Sequence, residues 1–500
     1  MADSERYSGV FAARLAPFLL MLFVLISASG CTGLGFVPSP RAVPSHPAAD
    51  APVETVKADT AKAAVPAAGA PAVDKKPHGK PLGVKSAGRR EADFAGVFDE
   101  SAASGLSGPS ARRLSVNTHK RPVRVMLRRN AKDAVVYSAA AVDVRTPGAS
   151  AALSGRIQLE ASGSGALATD GKVRKELRLP CTLLVSAGTH LIELGENSYR
   201  GALVIVSESP NVLSFINVLD VEDYLRGVVP LEIGNLAEAD IEAVKAQAVA
   251  ARTYSYRKMA AGGRNLFDMV ATVADQVYGG ANAEAAVSDA AIRRTKDIIM
   301  VHENDIVRAY YHSTCGGKTA SIEDIWGGET IPYLRSRSDT GAASKPFCAG
   351  AGQSFAWTET WTEPQLSGII RRYSAEGSLT PPFTKGSIKS IEIGERFGCG
   401  RVKTIEVLSS TGQTHTAGGD KLRFVFRRNT PNRQPQILRS SNINSISIKN
   451  NEITITGSGN GHGVGMCQTG AIARARAGQS FEQILQAYYT GITIKTVSQD

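Results

Sequence analysis

The segment from Thr32 to Lys120 limits where this chain can fold. Pro, Ala, Ser, Gly and Lys dominate it, as in PSPRAVPSHPAADAPVE and AKAAVPAAGAPAVDKKPHGK, and its apolar residues follow neither a helical nor a strand period. A segment of this composition buries too little apolar surface to offset the entropy that ordering costs. We therefore predict a disordered Pro/Ala-rich linker over residues 32–120, with the folded part beginning near Pro122.

The residues that precede the linker are organised like an export signal. Arg6 and Arg14 precede an apolar run, Leu15 to Ile26, that is too short to span a bilayer comfortably. The following Ala28-Ser29-Gly30-Cys31 is similar to a bacterial lipobox, although Leu is usual where Ala28 stands. We predict a signal peptide over residues 1–31, lipidation of Cys31, and a membrane-anchored lipoprotein exported to the cell envelope, in the periplasm or on the outer surface. Ordinary signal-peptidase cleavage and an uncleaved membrane anchor are the alternatives.

The chain carries a surplus of positive charge. Its 57 Lys and Arg residues outnumber 46 Asp and Glu residues, which gives a formal net charge of +11. This balance suits an anionic partner, namely nucleic acid, a membrane surface or a bacterial wall polymer. The export signal argues against nucleic acid, because it directs the folded part out of the cytoplasm. An apolar content of 43% excludes a chain that is disordered throughout.

Residues 121–215 have the pattern of successive short strands. Turn residues separate runs rich in Val, Ile and Leu, which are Val123–Leu127, Ala134–Ser138, Ile157–Glu160, Leu177–Val185, Leu191–Leu194 and Ala202–Ser207. From Val221 the pattern changes, and Ala237–Ala261 has apolar residues at helical spacing before Gly262-Gly263. We therefore predict an α+β protein, in which an antiparallel β-rich part over residues 121–215 joins an α+β core over residues 216–496.

Further elements are predicted within this core. A second helix is expected over Ala283–Arg294, followed by a hairpin that turns at Glu303-Asn304-Asp305. Asn450-Asn451 separates two short Ile-containing strands, which is typical of a tight hairpin. Ser480 and Gln483 have the spacing of a capping box and predict a last helix, FEQILQAYY.

One acidic residue has the neighbours that a general acid needs. Glu232 follows Val228-Val229-Pro230-Leu231, just before the long helix. Apolar surroundings raise the pKa of a carboxyl group, so that it holds its proton nearer to neutral pH. The alternative is an ordinary solvated Glu or a charge at a helix entry. In the long helix, Lys245, Arg252 and Tyr256 share one face, which either lines a groove for a polar polymer or is a solvated face opposite the core.

Two further segments combine residue types that carry chemistry. Tyr310–Gly317 contains His312 and Cys315, which suggest a thiol nucleophile or a corner of a zinc site, although a disulfide is the plainer use of Cys in an exported protein. Gly457–Gln468 has alternating glycines, which let a backbone approach a ligand closely. It is not a phosphate loop of the Walker type, because no Gly-Lys-Ser/Thr follows.

Taken in order, these segments resemble one family. The segments are VEDYLRGVVPLEI, EAVKAQAVAARTYSY, DQVYGG, YYHSTCGGKTASIEDIWGG, PYLRS, GRV, GHGVGMCQTGAIARARAG and ILQAYYTG. They resemble the SpoIID/LytB family from Pro122 to Lys495, and EAVKAQAVAARTY and GHGVGM are highly specific together. The resemblance implies peptidoglycan remodelling, and we predict a lytic transglycosylase that cleaves the MurNAc–GlcNAc linkage of glycan strands already stripped of stem peptides, with Glu232 as acid and base and a 1,6-anhydro product. The alternative is a non-catalytic wall-binding enhancer of a wall amidase.

The resemblance also implies which residues act. Glu232 matches the family's catalytic glutamate, with Arg252 in the helix behind it. Lys245 is a substrate-binding candidate only through the helix face described above. The motif positions around the cleft are matched by Asp275, Gln276, Tyr278, His312, His462 and Gln468. A lytic transglycosylase needs one carboxylate, because the substrate's own C6 hydroxyl is the nucleophile, whereas a true hydrolase would use Asp275 as the second. The implied partners are glycan strands and a wall amidase, with no nucleic acid and no required cofactor.

The remaining cysteines have two interpretations. Members of the family often have Ser where Cys399 and Cys467 stand, so the resemblance favours two matched disulfides, Cys315–Cys348 and Cys399–Cys467. The alternative is a structural zinc site that uses His312, Cys315 and Cys348.

Overall fold

The computed structural model of the chain describes residues 121–185, 190–262, 265–341, 344–374, 379–429 and 435–497. The predicted signal peptide, the lipidation of Cys31 and the linker over residues 32–120 lie outside the described residues and stay predictions. Among the described residues, no helix is both long and apolar enough to cross a membrane. Helices and several sheets are both present, which confirms the α+β class.

A largely antiparallel sheet forms the first part of the fold, as predicted. Its first ten strands are β1 (Val123–Ala131), β2 (Asp133–Thr146), β3 (Ala149–Ser162), β4 (Gly165–Thr169), β5 (Arg174–Leu177), β6 (Cys181–Val185), β7 (Ile192–Leu194), β8 (Asn197–Tyr199), β9 (Ala202–Val206) and β10 (Leu213–Leu219). β1 pairs with β10, and β11 (Met269–Val270) adds to the other edge of β1 in parallel. β9 and β10 are buried along their whole length, so both faces of the sheet are covered there.

A long Ala-rich helix lies at the centre of the next part. The helices here are α1 (Val221–Arg226), α2 (Val229–Ile233), α3 (Ile241–Gly262) and α4 (Ala286–Arg294). α3 begins a few residues later than predicted, and five of its alanines, Ala243, Ala246, Ala248, Ala250 and Ala251, are fully buried. Small side chains let neighbours approach on every side, so α3 contacts α1, α2, α4 and the strand β12 (Ile298–His302).

The hydrophobic core of the sheet continues into the helices. Leu203 and Phe215 of the sheet belong to the same buried cluster as Val244 and Val249 of α3. The predicted boundary between residues 215 and 216 therefore does not separate two cores. The chain then forms β13 (Asp305–Ile306), β14 (Tyr311–His312) and α5 (Ile322–Trp326), and the predicted hairpin is confirmed by the pairing of β12 with β13.

A further set of elements has a hydrophobic core of its own, which the sequence analysis did not separate. We call these residues, Ala356–Ser458, the inserted lobe. Its elements are β15 (Ala356–Thr362), α6 (Glu363–Ser374), β16 (Ile388–Ile393), β17 (Thr404–Ser409), β18 (Thr414–Gly418), α7 (Leu422–Val425), β19 (Ile443–Lys449) and β20 (Glu452–Ser458). Trp361, Phe383 and Phe426 are fully buried inside it. The predicted Asn450-Asn451 hairpin joins β19 to β20, with both Asn residues at positive φ.

The C-terminal elements return to the first core. They are β21 (Met466–Cys467), α8 (Gln468–Arg476), α9 (Phe481–Tyr488) and β22 (Thr493–Thr496). β22 pairs with β12, and β21 pairs in parallel with β14, which sets His312 opposite Cys467. The predicted capping box of Ser480 and Gln483 begins α9. This return brings the Tyr310–Gly317 segment and the glycine-rich segment together.

Candidate active site

Glu232 lies on the short helix α2, which has Pro230 in its first turn and Gly234 directly after it. The Glu232 carboxylate is half-buried and accepts a hydrogen bond of 2.8 Å from the backbone N–H of Val277. The Gln468 side chain donates a second hydrogen bond to it. Two distant segments of the chain therefore fix the position of this carboxyl group.

Burial raises the pKa of Glu232 above its ordinary value. The hydrogen bonds from Val277 and Gln468 act in the opposite direction, because they stabilise the charged form, but the effect of burial is larger. The carboxyl group therefore keeps its proton to a higher pH than a solvated Glu does, as a general acid requires. Of the two interpretations of Glu232, the structure supports the apolar setting over the solvated charge.

A second glutamine holds the donor to Glu232 in place. Gln468 is the first residue of α8 and is 8% exposed. Its Nε2 donates a hydrogen bond of 3.2 Å to Oε1 of Gln247, which is fully buried in α3. Gln247 was not among the predicted site residues, although a long polar side chain among the alanines of EAVKAQAVAARTY is a recognisable signal. The two glutamines connect α3 to the glycine-rich segment.

Gln276 lies in a buried hydrogen-bond network behind Glu232. It is fully buried, its Oε1 accepts from the Tyr224 hydroxyl at 3.2 Å, and its Nε2 donates to the Tyr311 hydroxyl oxygen at 2.9 Å. Burial, together with the charge of Glu232, raises the pKa of Tyr311 well above its usual value. Gln276 therefore positions Tyr311 and offers no exposed surface to a substrate.

The two predicted histidines lie side by side. The His312 and His462 rings have centroids 5.5 Å apart. Nδ1 of His312 contacts the carbonyl oxygen of Val464 at 3.2 Å, so it carries the proton, and Nε2 of the same ring is buried without a partner among the described residues. Burial lowers the pKa of His312 well below its usual value and that of His462 to about 4. Both rings are therefore neutral at physiological pH.

Aromatic rings extend from these histidines to the surface. His462 lies 5.0 Å from Trp326 and 6.3 Å from Tyr310, and Tyr310 lies 4.9 Å from Trp326, all measured between ring centroids. Trp326, at the end of α5, is 42% exposed. Trp326 lies within the family-like segment YYHSTCGGKTASIEDIWGG but was not predicted as a site residue. An exposed indole beside half-buried polar rings is a surface on which a sugar ring can lie.

Asp275 and Tyr278 lie within two residues of Val277, the backbone donor to Glu232, but their side chains are already engaged. Asp275 forms a 2.7 Å ion pair with Lys258 and accepts a 2.8 Å hydrogen bond from the Tyr254 hydroxyl. Tyr278 is 5% exposed, and its hydroxyl donates to Asn217 at 2.7 Å. These contacts leave neither side chain free to bind a sugar without rearrangement.

The structure corrects the expectation that Lys245 and Arg252 line a groove. Arg252 is fully buried and forms an ion pair of 2.7 Å with Glu222, so it is neither on a groove nor on a solvated face. Lys245 pairs with Glu242 at 2.6 Å and lies over the Phe481 ring of α9. Both faces of α3 are covered because α4, α8 and α9 pack on it, which helical spacing alone does not indicate.

The glycine-rich segment approaches its neighbours as closely as predicted. A Cβ on Gly465 would overlap the carbonyl oxygen of Tyr310, and one on Gly463 would lie 2.6 Å from Nε of Arg401. Both glycines have positive φ. Arg401 belongs to the inserted lobe and is 1% exposed, so the lobe contributes a buried cation next to this segment.

The cysteines differ from the expected pairing. All five that the structure describes have free thiols. Cys467 lies beside Cys315 because β21 pairs with β14. The backbone N–H of Cys315 donates a hydrogen bond of 3.2 Å to Sγ of Cys467. Cys399 is not a member of this group. The structure therefore corrects the pairing of Cys399 with Cys467.

The zinc ligands expected from the sequence also differ from the observed group. The Sγ atoms of Cys315 and Cys348 are 3.5 Å apart, as two ligands of one ion would be. Asp339 and Cys467 complete a group of four with them, and His312 is not part of it.

Comparison with known proteins matches two parts of this structure. Residues 210–302, which carry α1–α4 and Glu232, match a family model described as Stage II sporulation protein, SpoIID. Residues 342–465, which contain the inserted lobe, match a domain of unknown function, DUF8618.

Several relatives are similar to a larger part of the chain. An uncharacterized protein of Brachyspira hyodysenteriae is 31% identical over 297 residues, which are 59% of this chain and 72% of the relative. The stage II sporulation protein D of Bacillus amyloliquefaciens is 28% identical over 55% of this chain and 74% of its own length. The amidase enhancer of Bacillus subtilis is 28% identical over 306 residues, which are 54% of this chain and 40% of that relative. The chain therefore belongs to the SpoIID/LytB family.

Proposed function

We propose that this protein remodels peptidoglycan as a lytic transglycosylase, with Glu232 as both acid and base. The observation that carries the proposal is the half-buried carboxyl group of Glu232, whose pKa is raised by burial and which Val277 and Gln468 hold in place. A protein that only binds glycan has no need of a protonated carboxyl group in this position. Membership of the SpoIID/LytB family supports glycan strands of peptidoglycan as the substrate class.

The proposed reaction uses one carboxyl group twice. Protonated Glu232 gives its proton to the glycosidic oxygen between MurNAc and GlcNAc, and the bond from that oxygen to C1 of MurNAc breaks. The resulting carboxylate removes the proton from the C6 hydroxyl of the same MurNAc. The C6 oxygen then attacks C1 and closes a 1,6-anhydro ring, so that Glu232 is again protonated and no water is consumed.

The two histidines of the candidate site add no positive charge of their own to the one that develops at C1. His312 and His462 are neutral because burial lowers the pKa of each ring, so they add no opposing cation. Fixed dipoles and the substrate's own acetamido group are left to stabilise the charge. Asp275 is engaged by Lys258 and Tyr254, which supports a mechanism with a single carboxyl group.

The substrate test uses peptide-free glycan strands and mass spectrometry of the products. The wild-type chain is expected to produce 1,6-anhydro ends, and Glu232→Gln is expected to lower the rate by about 10²- to 10⁴-fold, because Gln cannot supply the proton. Glu238→Gln is the matched control, since Glu238 is an exposed residue paired with Arg294. Anhydro ends from Glu232→Gln at the wild-type rate would remove the assignment, and plain reducing ends would indicate hydrolysis.

A second candidate function is the enhancement of a wall amidase without glycan cleavage. The observation that favours it is the similarity to the amidase enhancer of Bacillus subtilis. Adding the wild-type chain or Glu232→Gln to an amidase with intact peptidoglycan separates the two functions. Equal stimulation by both chains, with no anhydro ends from either, would support the enhancer function.

We further propose that the protein acts in the cell envelope, anchored by lipid on Cys31. The apolar run that ends before Ala28-Ser29-Gly30-Cys31 supports export and lipidation. Incorporation of labelled palmitate into the wild-type chain, and its loss in Cys31→Ala, is the expected result. Labelling that persists in Cys31→Ala would contradict this anchor.

A further inference from the structure

Four metal-binding side chains meet at one buried point, close to the candidate active site but separate from it. Cys315, Asp339, Cys348 and Cys467 are all buried, and one potential ligand atom from each lies within 4.8 Å of the others. They come from three parts of the chain: the segment just after β14, the segment before the inserted lobe, and β21. We call these four residues the cysteine cluster.

The spacing of the cysteine cluster suits a metal ion better than a disulfide. The Sγ atoms of Cys315 and Cys348 are 3.5 Å apart, whereas a disulfide bond is about 2.05 Å long. Zinc–sulfur bonds of about 2.3 Å in a tetrahedron set neighbouring sulfur atoms about 3.8 Å apart. Any single disulfide among the three cysteines of the cluster would leave one thiol unpaired.

Backbone N–H groups point at the sulfur atoms. Gly317 donates to Sγ of Cys315 at 3.3 Å, and Gly470 donates to Sγ of Cys467 at 3.3 Å. Such donors stabilise a thiolate, which is the form of Cys that binds a metal. Three thiolates and a carboxylate this close together would repel one another strongly unless a cation lay among them.

Hydrogen bonds from Arg474 and Tyr488 fix the carboxylate of Asp339 in the cysteine cluster. Oδ1 of Asp339 accepts hydrogen bonds from Arg474 at 3.1 and 2.9 Å, and the Tyr488 hydroxyl lies 3.0 Å from each carboxylate oxygen. Oδ2 of Asp339 is 3.3 Å from Sγ of Cys315. Outer-shell partners of this kind orient a carboxylate that ligates a metal.

We infer that Cys315, Cys348, Cys467 and Asp339 form a closed, structural Zn²⁺ site. Soft thiolate ligands in a tetrahedral arrangement select zinc over magnesium, calcium or manganese. Each thiol gives up its proton as it binds, so three protons leave for each Zn²⁺ that enters. Four protein ligands leave no position for water, and the ion therefore stabilises the fold without taking part in the reaction.

The inferred Zn²⁺ would link the two segments that carry His312 and Gln468 of the candidate active site. Cys467 directly precedes Gln468, the donor to Glu232, and Cys315 lies three residues after His312. The inference concerns metal content and does not rest on the proposed glycan chemistry, so either can fail alone.

The test measures zinc in the purified full-length chain by inductively coupled plasma mass spectrometry. One zinc per wild-type chain is expected, with its loss in Cys348→Ser, Cys467→Ser and Asp339→Asn. Cys399→Ser and Cys181→Ser are matched controls, since both residues are buried cysteines outside the cluster and are expected to keep the metal. Circular dichroism shows whether each variant is folded. Full zinc retention by folded Cys467→Ser or Asp339→Asn would overturn the ligand set.

A second measurement needs no variant. Replacement of zinc by Co²⁺ in the wild-type chain is expected to give the thiolate-to-cobalt charge-transfer absorption of a tetrahedral site. Absence of this absorption would overturn the inference. So would a zinc-free wild-type chain whose denatured, unreduced mass is two hydrogens below the all-thiol value, because a disulfide would then occupy the cluster.

Discussion

At the scale of single residues, the carboxyl group of Glu232 is subject to two opposing influences. Burial favours its protonated form, and the donors Val277 and Gln468 favour its charged form. The backbone donor is fixed by the chain, but the Gln468 donor can be removed without touching the carboxyl group. The ionisation of Glu232 is therefore adjustable from α8.

We predict that Gln468→Leu moves the alkaline limb of the pH–rate profile to higher pH. Loss of the donor destabilises the carboxylate, so the pKa of Glu232 rises further and the acid stays protonated over a wider range. The measurement is kcat/KM for release of anhydro ends against pH. Gln486→Leu, an exposed change on α9, is the control and should leave the limb in place. A limb that moves to lower pH in Gln468→Leu would contradict this assignment.

Some of these residues could be read from the sequence and others could not. The apolar neighbours of Glu232 left its setting open, and the family resemblance singled out Glu232 and Gln468, whose side chains the structure brings together. Arg252 was misplaced, since the burial of its helix face depends on α4, α8 and α9, which lie far away in sequence. Trp326 was missed for the same reason, because its role comes from contacts that chain order does not show. Gln247 was missed although it is a long polar residue among alanines, since its partner Gln468 lies far away in sequence.

At the scale of elements, the glycine-rich segment depends on close contact as well as on backbone conformation. Gly465 and Gly478 both have positive φ, but only Gly465 would bring a Cβ against another part of the chain. The two positions therefore separate the cost of backbone strain from the cost of overlap.

We predict that Gly465→Ala destabilises the protein far more than Gly478→Ala. Gly478→Ala is expected to lower the free energy of unfolding by about 1 kcal/mol, because the added Cβ contacts nothing and only the positive φ is unfavourable for Ala. The change at Gly465 adds overlap with the Tyr310 carbonyl and should cost at least about 3 kcal/mol. Thermal unfolding of both variants gives the comparison. Equal losses would show that the close contact is unimportant.

Element types were more predictable than their tertiary arrangement. The α3 helix, the Asn450-Asn451 hairpin and the Ser480 capping box were found from periodicity and turn chemistry, and the structure confirms them. The pairing of β14 with β21 was not predictable, since it joins two-residue strands from distant segments. That pairing sets Cys467 beside Cys315 and so corrects the expected disulfide.

At the scale of the whole molecule, the C-terminal strand closes the first core. β22 pairs with β12 from Ile298 to Val301, and the N–H of Val497 donates to Asp297 at 2.7 Å. The inserted lobe was not predicted as a separate unit because no linker-like composition marks its ends, although its buried residues form their own cluster.

We predict that ending the chain at Ile492, which removes β22, lowers the melting temperature strongly. The loss of paired backbone groups on β12 and of buried Val497 should cost at least about 3 kcal/mol. A chain that ends at Val497 keeps the strand and is the matched control. Equal melting temperatures for the two shortened chains would show that β22 does not support the core.

The link between Gln247 and Gln468 has a consequence for when the candidate site is complete. These side chains are 221 residues apart in the chain, yet their contact places the donor to Glu232. A chain still being synthesised, amino end first, already contains Glu232 when α8 has not yet been made. The hydrogen-bond donor to Glu232 is therefore placed only after the last helices have been added, so an incomplete chain lacks the candidate site described above.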